Sequence, residues 1–256
     1  MTLTYHDVAD DDGPHSGFVG TGPDHYRLTP SVFARHLDAI ASSGIAPSLV
    51  TDARDEHRRV YLTFDDGGSS AVTAIAPMLV ERGWRGHFFV TTDNIGSPGF
   101  LTPGEVRELN AHGHVIGSHG HTHRMLTTLS QAEVADEWRR SRALLEDLLG
   151  QPLISVSVPT GAYSGTIGRL AGEAGYRHVF TSEPWLRPRR VGGSWIYGRF
   201  AIVHDTPPQL VHALCRFSRP ATLREGSRWH ARKAAKAALG RRYETLRVAL
   251  LERRRR

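Results

Sequence analysis

YLTFDDGG, residues Tyr61 to Gly68, decides how this 256-residue chain is read. The run from Arg59 to Phe64 has the composition of a strand, and it ends in two adjacent carboxylates, Asp65 and Asp66, followed by Gly67 and Gly68. Like charges side by side repel, and neither serves a strand. Aspartate followed by glycine is an ordinary turn sequence, so the rest of the chain must decide between a turn and a site.

Outward from this stretch, strand-like runs alternate with helical patterns at short spacing. Strands are expected near 3–8, over 59–64, at GHFFVTT (86–92), HVIGS (114–118), LISVSV (153–158) and RHVFTS (177–182), and at WIYGRFAIV (195–203). Between them come a helix introduced by Thr29 and Ser31 and ended by Gly44, another over roughly 70–82, and one near TPGEVRELNAHG (102–113). A long helix runs from Ser130 to Leu149, with Ser130 and Glu133 in capping-box spacing and Gly150 as its stop. Further helices lie near TIGRLAGEAG (166–175) and after Pro207 and Pro208. Six or seven β/α repeats in about 215 residues point to an α/β fold with a closed or nearly closed (β/α) barrel. A doubly wound open sheet is the alternative. The loop 9–28 contains Phe18 and Tyr26 and is expected to shape a cleft.

The composition, 39% hydrophobic, is that of an ordinary globular domain. A single cysteine, Cys215, leaves no internal disulfide to form. The first residues, MTLTYHDVADDDG, lack the basic and apolar regions of a secretory leader, and no run approaches the ~18 apolar residues of a membrane span. A cytoplasmic, membrane-peripheral location is the expectation. The net charge of +6 is unevenly placed: from Arg216 onward there are fourteen Lys or Arg and three Glu, so a mildly acidic body carries a strongly basic tail. The chain divides into a barrel domain over 1–218 and a basic amphipathic helical tail over 219–256. Peripheral contact of that tail with anionic membrane is expected, a solvated helix with an arginine-rich end being the plain alternative; nucleic acid is not an expected partner.

On this map the unusual polar residues gather at strand ends. Asp65 and Asp66 end the second strand, SHGHTH (118–123) ends the fourth, His6 follows the first, PTGAY (159–163) follows the fifth, and His204 follows the run that ends at Val203. In a parallel barrel these ends share one rim. His119 and His123 are four apart and can face one cation together; with one carboxylate they make an N, N, O set that leaves a position open for water. The second carboxylate is then free to take a proton from that water as it attacks a carbonyl. His121 falls between the two ligands and is expected to point elsewhere. Trp185 is read as wall or core in preference to a sugar-stacking residue.

TFDDG, HGHTH in the pattern HxxxH, and PTGAY resemble, in order and spacing, the polysaccharide deacetylases of the NodB-homology type, carbohydrate esterase family 4, over about residues 1–205. The resemblance implies the family's distorted (β/α) barrel, Asp65 as catalytic base, and Asp66, His119 and His123 as ligands of a divalent ion, zinc first. It implies removal of N-acetyl or O-acetyl groups from a polysaccharide or its precursor, with the backbone N–H of Thr160 as oxyanion donor, His204 as general acid and His6 near the substrate. The opening TYHDV is similar to relatives associated with exopolysaccharide. One departure stands out: many members carry an arginine ahead of the proline motif that pairs with the base, and here Ser157 occupies that position, so another group, Arg199 being the one at hand, has to orient Asp65. A small-molecule amide hydrolase of the same fold, or a non-catalytic glycan-binding or membrane-docked module, are the alternative readings.

Overall fold

The computed structural model describes residues 1–10, 16–52 and 58–239. In chain order its elements are β1 (Thr2–Tyr5), α1 (Thr21–Asp24), α2 (Pro30–Ser42), β2 (Tyr61–Phe64), a π-helical turn (Ala71–Ile75) running into α3 (Ala76–Val80), β3 (His87–Val90), α4 (Pro103–Ala111), β4 (Val115–Ser118) and α5 (Gln131–Leu149). They continue with β5 (Ser155–Ser157), α6 (Gly165–Glu173), β6 (His178–Phe180), β7 (Arg189–Val191), β8 (Ser194–Tyr197), β9 (Phe200–Ala201), α7 (Pro208–Cys215) and α8 (Arg219–Leu239). Every expected strand forms, shorter than the sequence run that encodes it.

The nine strands make one sheet in the order β7-β8-β6-β5-β4-β3-β2-β1-β9. All pairings are parallel except β7 with β8, a hairpin turned by Gly192 and Gly193. The run expected as one strand over 195–203 is split at Gly198 and Arg199. Its first half pairs with β6 as β8, and its second half pairs with β1 as β9. One stretch of chain through residues 198 and 199 therefore links strands near the two ends of the sheet, which curls into a distorted, incompletely closed barrel.

Strand alternation sorts the side chains between two cores. Leu62 and Phe64 of β2 face outward into the main core with the helices, where Phe88, Ile116, Val156 and Val179 join them. Tyr61 faces the barrel interior and packs with Phe89, Phe180 and Tyr197. Thr63 shares that inner face, buried against Thr4 and Arg199. By the same period, Asp65 at the end of β2 faces inward. Close packing inside a small barrel requires glycine at Gly117, where a Cβ would lie 2.5 Å from the Phe89 ring.

The helices start and stop where their sequence chemistry says. Thr29 caps α2 through Val32 N–H. Ser130 and Glu133 close the expected capping box on α5, and Gly150 ends it in the left-handed conformation at φ 66°. A second such box, Thr102 with Glu105, starts α4. Within the expected tail, residues 219–239 form the helix α8, and residues 240–256 lie outside those described. The expected boundary at 218/219 falls between α7 and α8, yet α8 lies against the barrel. Ala221 is buried in the main core, and Lys233 Nζ reaches Glu183 Oε1 at 3.0 Å. No described helix is long and apolar enough to cross a membrane.

Candidate active site

Asp65 and Asp66 adjoin in sequence but belong to different partnerships. Asp65, 5% exposed, continues the inner face of β2 and receives Arg199 from the barrel seam: Nη1 donates to Oδ1 at 2.7 Å and Nη2 to Oδ2 at 2.8 Å. Ser157 Oγ accepts from Arg199 Nη2 at 2.8 Å and donates to Asp65 Oδ2 at 3.1 Å. Arg199 is held in turn by the Thr181 carbonyl, which accepts from Nε at 2.9 Å. Burial would push the Asp65 carboxyl up, but the Arg199 guanidinium and the nearby His119 outweigh it and hold the group below the usual carboxylate range. The carboxylate is ionised, fixed in plane and oriented, as a general base must be.

Asp66 turns the other way because its backbone enters the left-handed region at φ 77°. Its Oδ1 lies 3.4 Å from His119 Nε2 and 3.3 Å from His123 Nε2, and the three ligand atoms fall within 4.8 Å of one another. His119 Nδ1 sits 3.1 Å from the Ser157 carbonyl, which can only accept, so Nδ1 carries a proton; Nε2 faces the Asp66 carboxylate, as a donor when the ring is charged and with its lone pair when the ring is neutral. Two acceptors at that separation require a proton or a cation between them. Donors at the corners of a tetrahedral site with bonds of about 2.0–2.1 Å stand roughly 3.3 Å apart, so the two Asp66–imidazole spacings suit a divalent ion. Burial would raise the Asp66 carboxyl too, but the hydrogen bonds from His119 and His123 bring it far below its ordinary range. Burial lowers His119, and the two aspartates more than reverse that.

The surroundings fix these side chains. Glu137, from the inner face of α5, accepts from the N–H groups of His121 and Thr122 at 2.8 and 2.9 Å and from Thr122 Oγ1 at 2.6 Å, which sets the course of the loop between the two histidines. Phe18, from the loop expected to shape a cleft, packs on the His123 ring at 4.6 Å. The buried Asp7 accepts from Ser16 Oγ at 2.6 Å and Ser70 Oγ at 2.7 Å, tying that loop to the strand ends. A side chain on Gly68 would overlap the Asp7 carboxylate and the Ser16 hydroxyl, which explains the second glycine of the DDGG run. Asp66, His123 and Thr160 are three of the four non-glycine residues with positive φ among those described. Such conformations cost about 1–3 kcal/mol each and collect at functional sites.

The remaining expected residues are placed as follows. His6, at the end of β1, acts electrostatically on both carboxylates; its ring packs on Tyr26 at 4.5 Å, and its buried Nδ1 has no hydrogen-bond partner. Thr160 lies exposed in the turn after β5 with φ 58°. His204 is exposed, its ring edge-on to His25 at 5.0 Å, and among the described residues it makes no hydrogen bond or ion pair with the Asp–His group. His121 points away from that group, with Nδ1 2.9 Å from Thr92 Oγ1, as expected of a residue between two ligands. Trp185 packs beneath Arg189 at 4.4 Å and serves as wall.

Glu137 and Asp7 escape the sequence reading, though Glu137 leaves a trace. It shares the stripe of Val134, Trp138, Ser141 and Leu145, all buried on α5, and a carboxylate on an otherwise buried helix face calls for a partner. Asp7 has no comparable signal; its role depends on Ser16 and Ser70, which only the folded chain brings to it.

Residues 52–179 match the model of the polysaccharide deacetylase family. YxkH of Bacillus subtilis is 28% identical over 174 residues, 65% of this chain and 62% of that protein. The peptidoglycan-N-acetylglucosamine deacetylase PgdA of Listeria monocytogenes is 28% identical over 185 residues, 70% of this chain and 38% of PgdA. The chain thus spans less than two thirds of the length of these curated relatives. Among solved structures, the Streptococcus pyogenes deacetylase PplD superposes with a TM-score of 0.68 at 20% identity, covering 81% of this chain and 94% of PplD. IcaB from Ammonifex degensii superposes with a TM-score of 0.67 at 22% identity, covering 84% and 99%. Likeness at that identity speaks for the fold, which agrees with the barrel described above.

Proposed function

Because this chain belongs to the polysaccharide deacetylase family, we propose that it removes acetyl groups from an acetylated glycan or its precursor, N-acetyl on an amino sugar first, with a divalent ion, zinc foremost, held by Asp66, His119 and His123. The observation that carries the reading is the division of labour within the DDGG run: Asp66 faces two imidazole nitrogens, while Asp65 faces a guanidinium and a hydroxyl.

When bound, the ion supplies Lewis acidity that lowers the pKa of a water and polarises the acetyl carbonyl. Asp65 takes the proton of the attacking water, and Arg199 and Ser157 keep its carboxylate aimed and ionised. The N–H of Thr160, in the turn after β5, is proposed to donate to the oxyanion, a role indifferent to the side chain there. Protonation of the departing amine is proposed for His204, exposed on the rim beside His25, with His6, at the end of β1, set beside the substrate. Residues 240–256, outside those described, retain the basic composition that supports contact with anionic membrane.

Acetate release from tri-N-acetylchitotriose, measured with and without chelator, tests the reading. Release that chelation abolishes and added zinc restores supports it. Binding of the trisaccharide with no acetate released under any metal would leave a glycan-binding module instead.

A further inference from the structure

Arg224, Arg228 and Arg232 recur every four residues along α8, so they share one face. All three line a cavity of about 370 Å³ between that helix and the barrel seam, a size within the range of small-molecule sites. The opposite wall is β9 and the segment that follows it. The cavity adjoins the candidate active site: Arg199, which grips Asp65, and Tyr26, whose ring packs on His6, line it as well.

The charges in this cavity do not cancel. Arg199 is committed to Asp65, and Arg228 Nη1 donates to Glu225 Oε1 at 2.9 Å. Asp205, in the opposite wall, is the one further carboxylate of the described lining, so Arg224 and Arg232 leave the cavity with a surplus of positive charge. Like charges one turn apart work against a helix, and all three arginines are exposed to solvent where they line the cavity. This one is pinned over the rim, by the buried Ala221 at its start and by the Lys233 bridge to Glu183 further along. The guanidinium fork matches phosphate and carboxylate oxygens. Cations roughly 6 Å apart along a helix axis suit a group with several anionic oxygens better than a single carboxylate, which one fork satisfies.

We propose that this groove binds a phosphate ester carried by the acetylated glycan, so that the substrate class is a phosphorylated acetylated sugar. The proposal rests on the deacetylase reading above. It assigns α8, up to Arg232, to substrate recognition.

The test compares N-acetylglucosamine 1-phosphate with methyl N-acetylglucosaminide on the full zinc-loaded chain, wild type and the double variant Arg224→Ala/Arg232→Ala. The expected result is a ratio of kcat/KM, phosphorylated over uncharged, that falls at least tenfold in the double variant and is largely kept by Arg224→Lys/Arg232→Lys. Direct titration of the sugar phosphate, followed by NMR, is expected to show the same loss of affinity and a steep dependence on salt. An unchanged ratio with unchanged affinity overturns the proposal, as does an equal loss on both sugars. A loss seen only in binding to phosphatidylglycerol vesicles, with the sugar phosphate unaffected, assigns the arginines to membrane and overturns it as well. If the wild-type chain turns over neither sugar, the deacetylase reading is at fault; the titration still decides whether the groove holds phosphate.

Discussion

The Arg199 guanidinium closes two hydrogen bonds on the Asp65 carboxylate, at 2.7 and 2.8 Å, across 134 residues of chain. The arginine enters from the point where the last strand changes neighbours, and Ser157 occupies the position from which many family members supply an arginine. A serine there makes room for the guanidinium from the seam and adds a hydroxyl that touches both partners.

Arg199→Ala should lower kcat by about 10- to 100-fold with little change in KM, since misplacement of a catalytic group by about 1 Å can cost that much. It should also destabilise the fold by about 3–5 kcal/mol, because a buried carboxylate loses its counter-charge. Arg199→Lys, which keeps charge but not the fork, should fall between the two proteins. Steady-state kinetics with chemical denaturation check both parts; a fully active Arg199→Ala would refute the orienting role.

Ser157→Ala removes one hydroxyl from the Arg199–Asp65 pair while the two main bonds stay. A loss in kcat smaller than that of Arg199→Ala follows, since the two bonds that aim the carboxylate remain; the lost hydrogen bond to a charged group, worth about 1.5–3 kcal/mol, falls mainly on stability. Ser157→Arg would set a second guanidinium in filled space and should be less stable than wild type by about 1–3 kcal/mol in thermal unfolding.

Three histidines away from the ion site make stability depend on pH. His87, His114 and His178 are each lowered to about 4, burial being the largest cause in every case. Unfolded, they titrate near 6.5, so between those values the unfolded chain binds more protons than the folded one. Their contribution is intact above pH 6.5 and is lost as pH falls towards 4, His87 alone accounting for at most about 3 kcal/mol. Thermal melts at pH 7, 6, 5 and 4 should show Tm dropping progressively below pH 6.5; a flat profile would contradict the buried neutral state.

Removal of residues 240–256 should leave Tm within a few degrees of wild type and abolish binding to anionic vesicles. Removal from Arg219 onward strips Ala221 from the main core and breaks the Lys233–Glu183 contact, and should lower Tm clearly. Melting curves and vesicle sedimentation of the two truncations separate the packed part of the tail from the rest.

Much of the barrel could be read in the sequence because its signals are local. Caps at Thr29 and Ser130, the stop at Gly150 and strand composition act within a few residues. The grouping of Asp66, His119 and His123 was equally legible: HxxxH fixes its own spacing, and the rim of a parallel barrel brings strand ends together. What stayed hidden depends on long-range contact. The run 195–203 reads as one strand since nothing within it says that its neighbours change at Gly198, and the hairpin strand β7 has two exposed arginines where alternation would show. The contacts of α8 with the barrel depend on Ala221 and Lys233, which carry no signal of it alone.

The central claim is that Asp66, His119 and His123 hold one ion while Asp65 acts beside it as base. Asp65→Asn, loaded with zinc and assayed for both metal content and acetate release from tri-N-acetylchitotriose, tests this most directly. The account predicts about one zinc per chain in the variant, as in wild type, with acetate release lower by about 10²–10⁴-fold. Acetate release near the wild-type rate, or loss of the zinc along with the base, would contradict it.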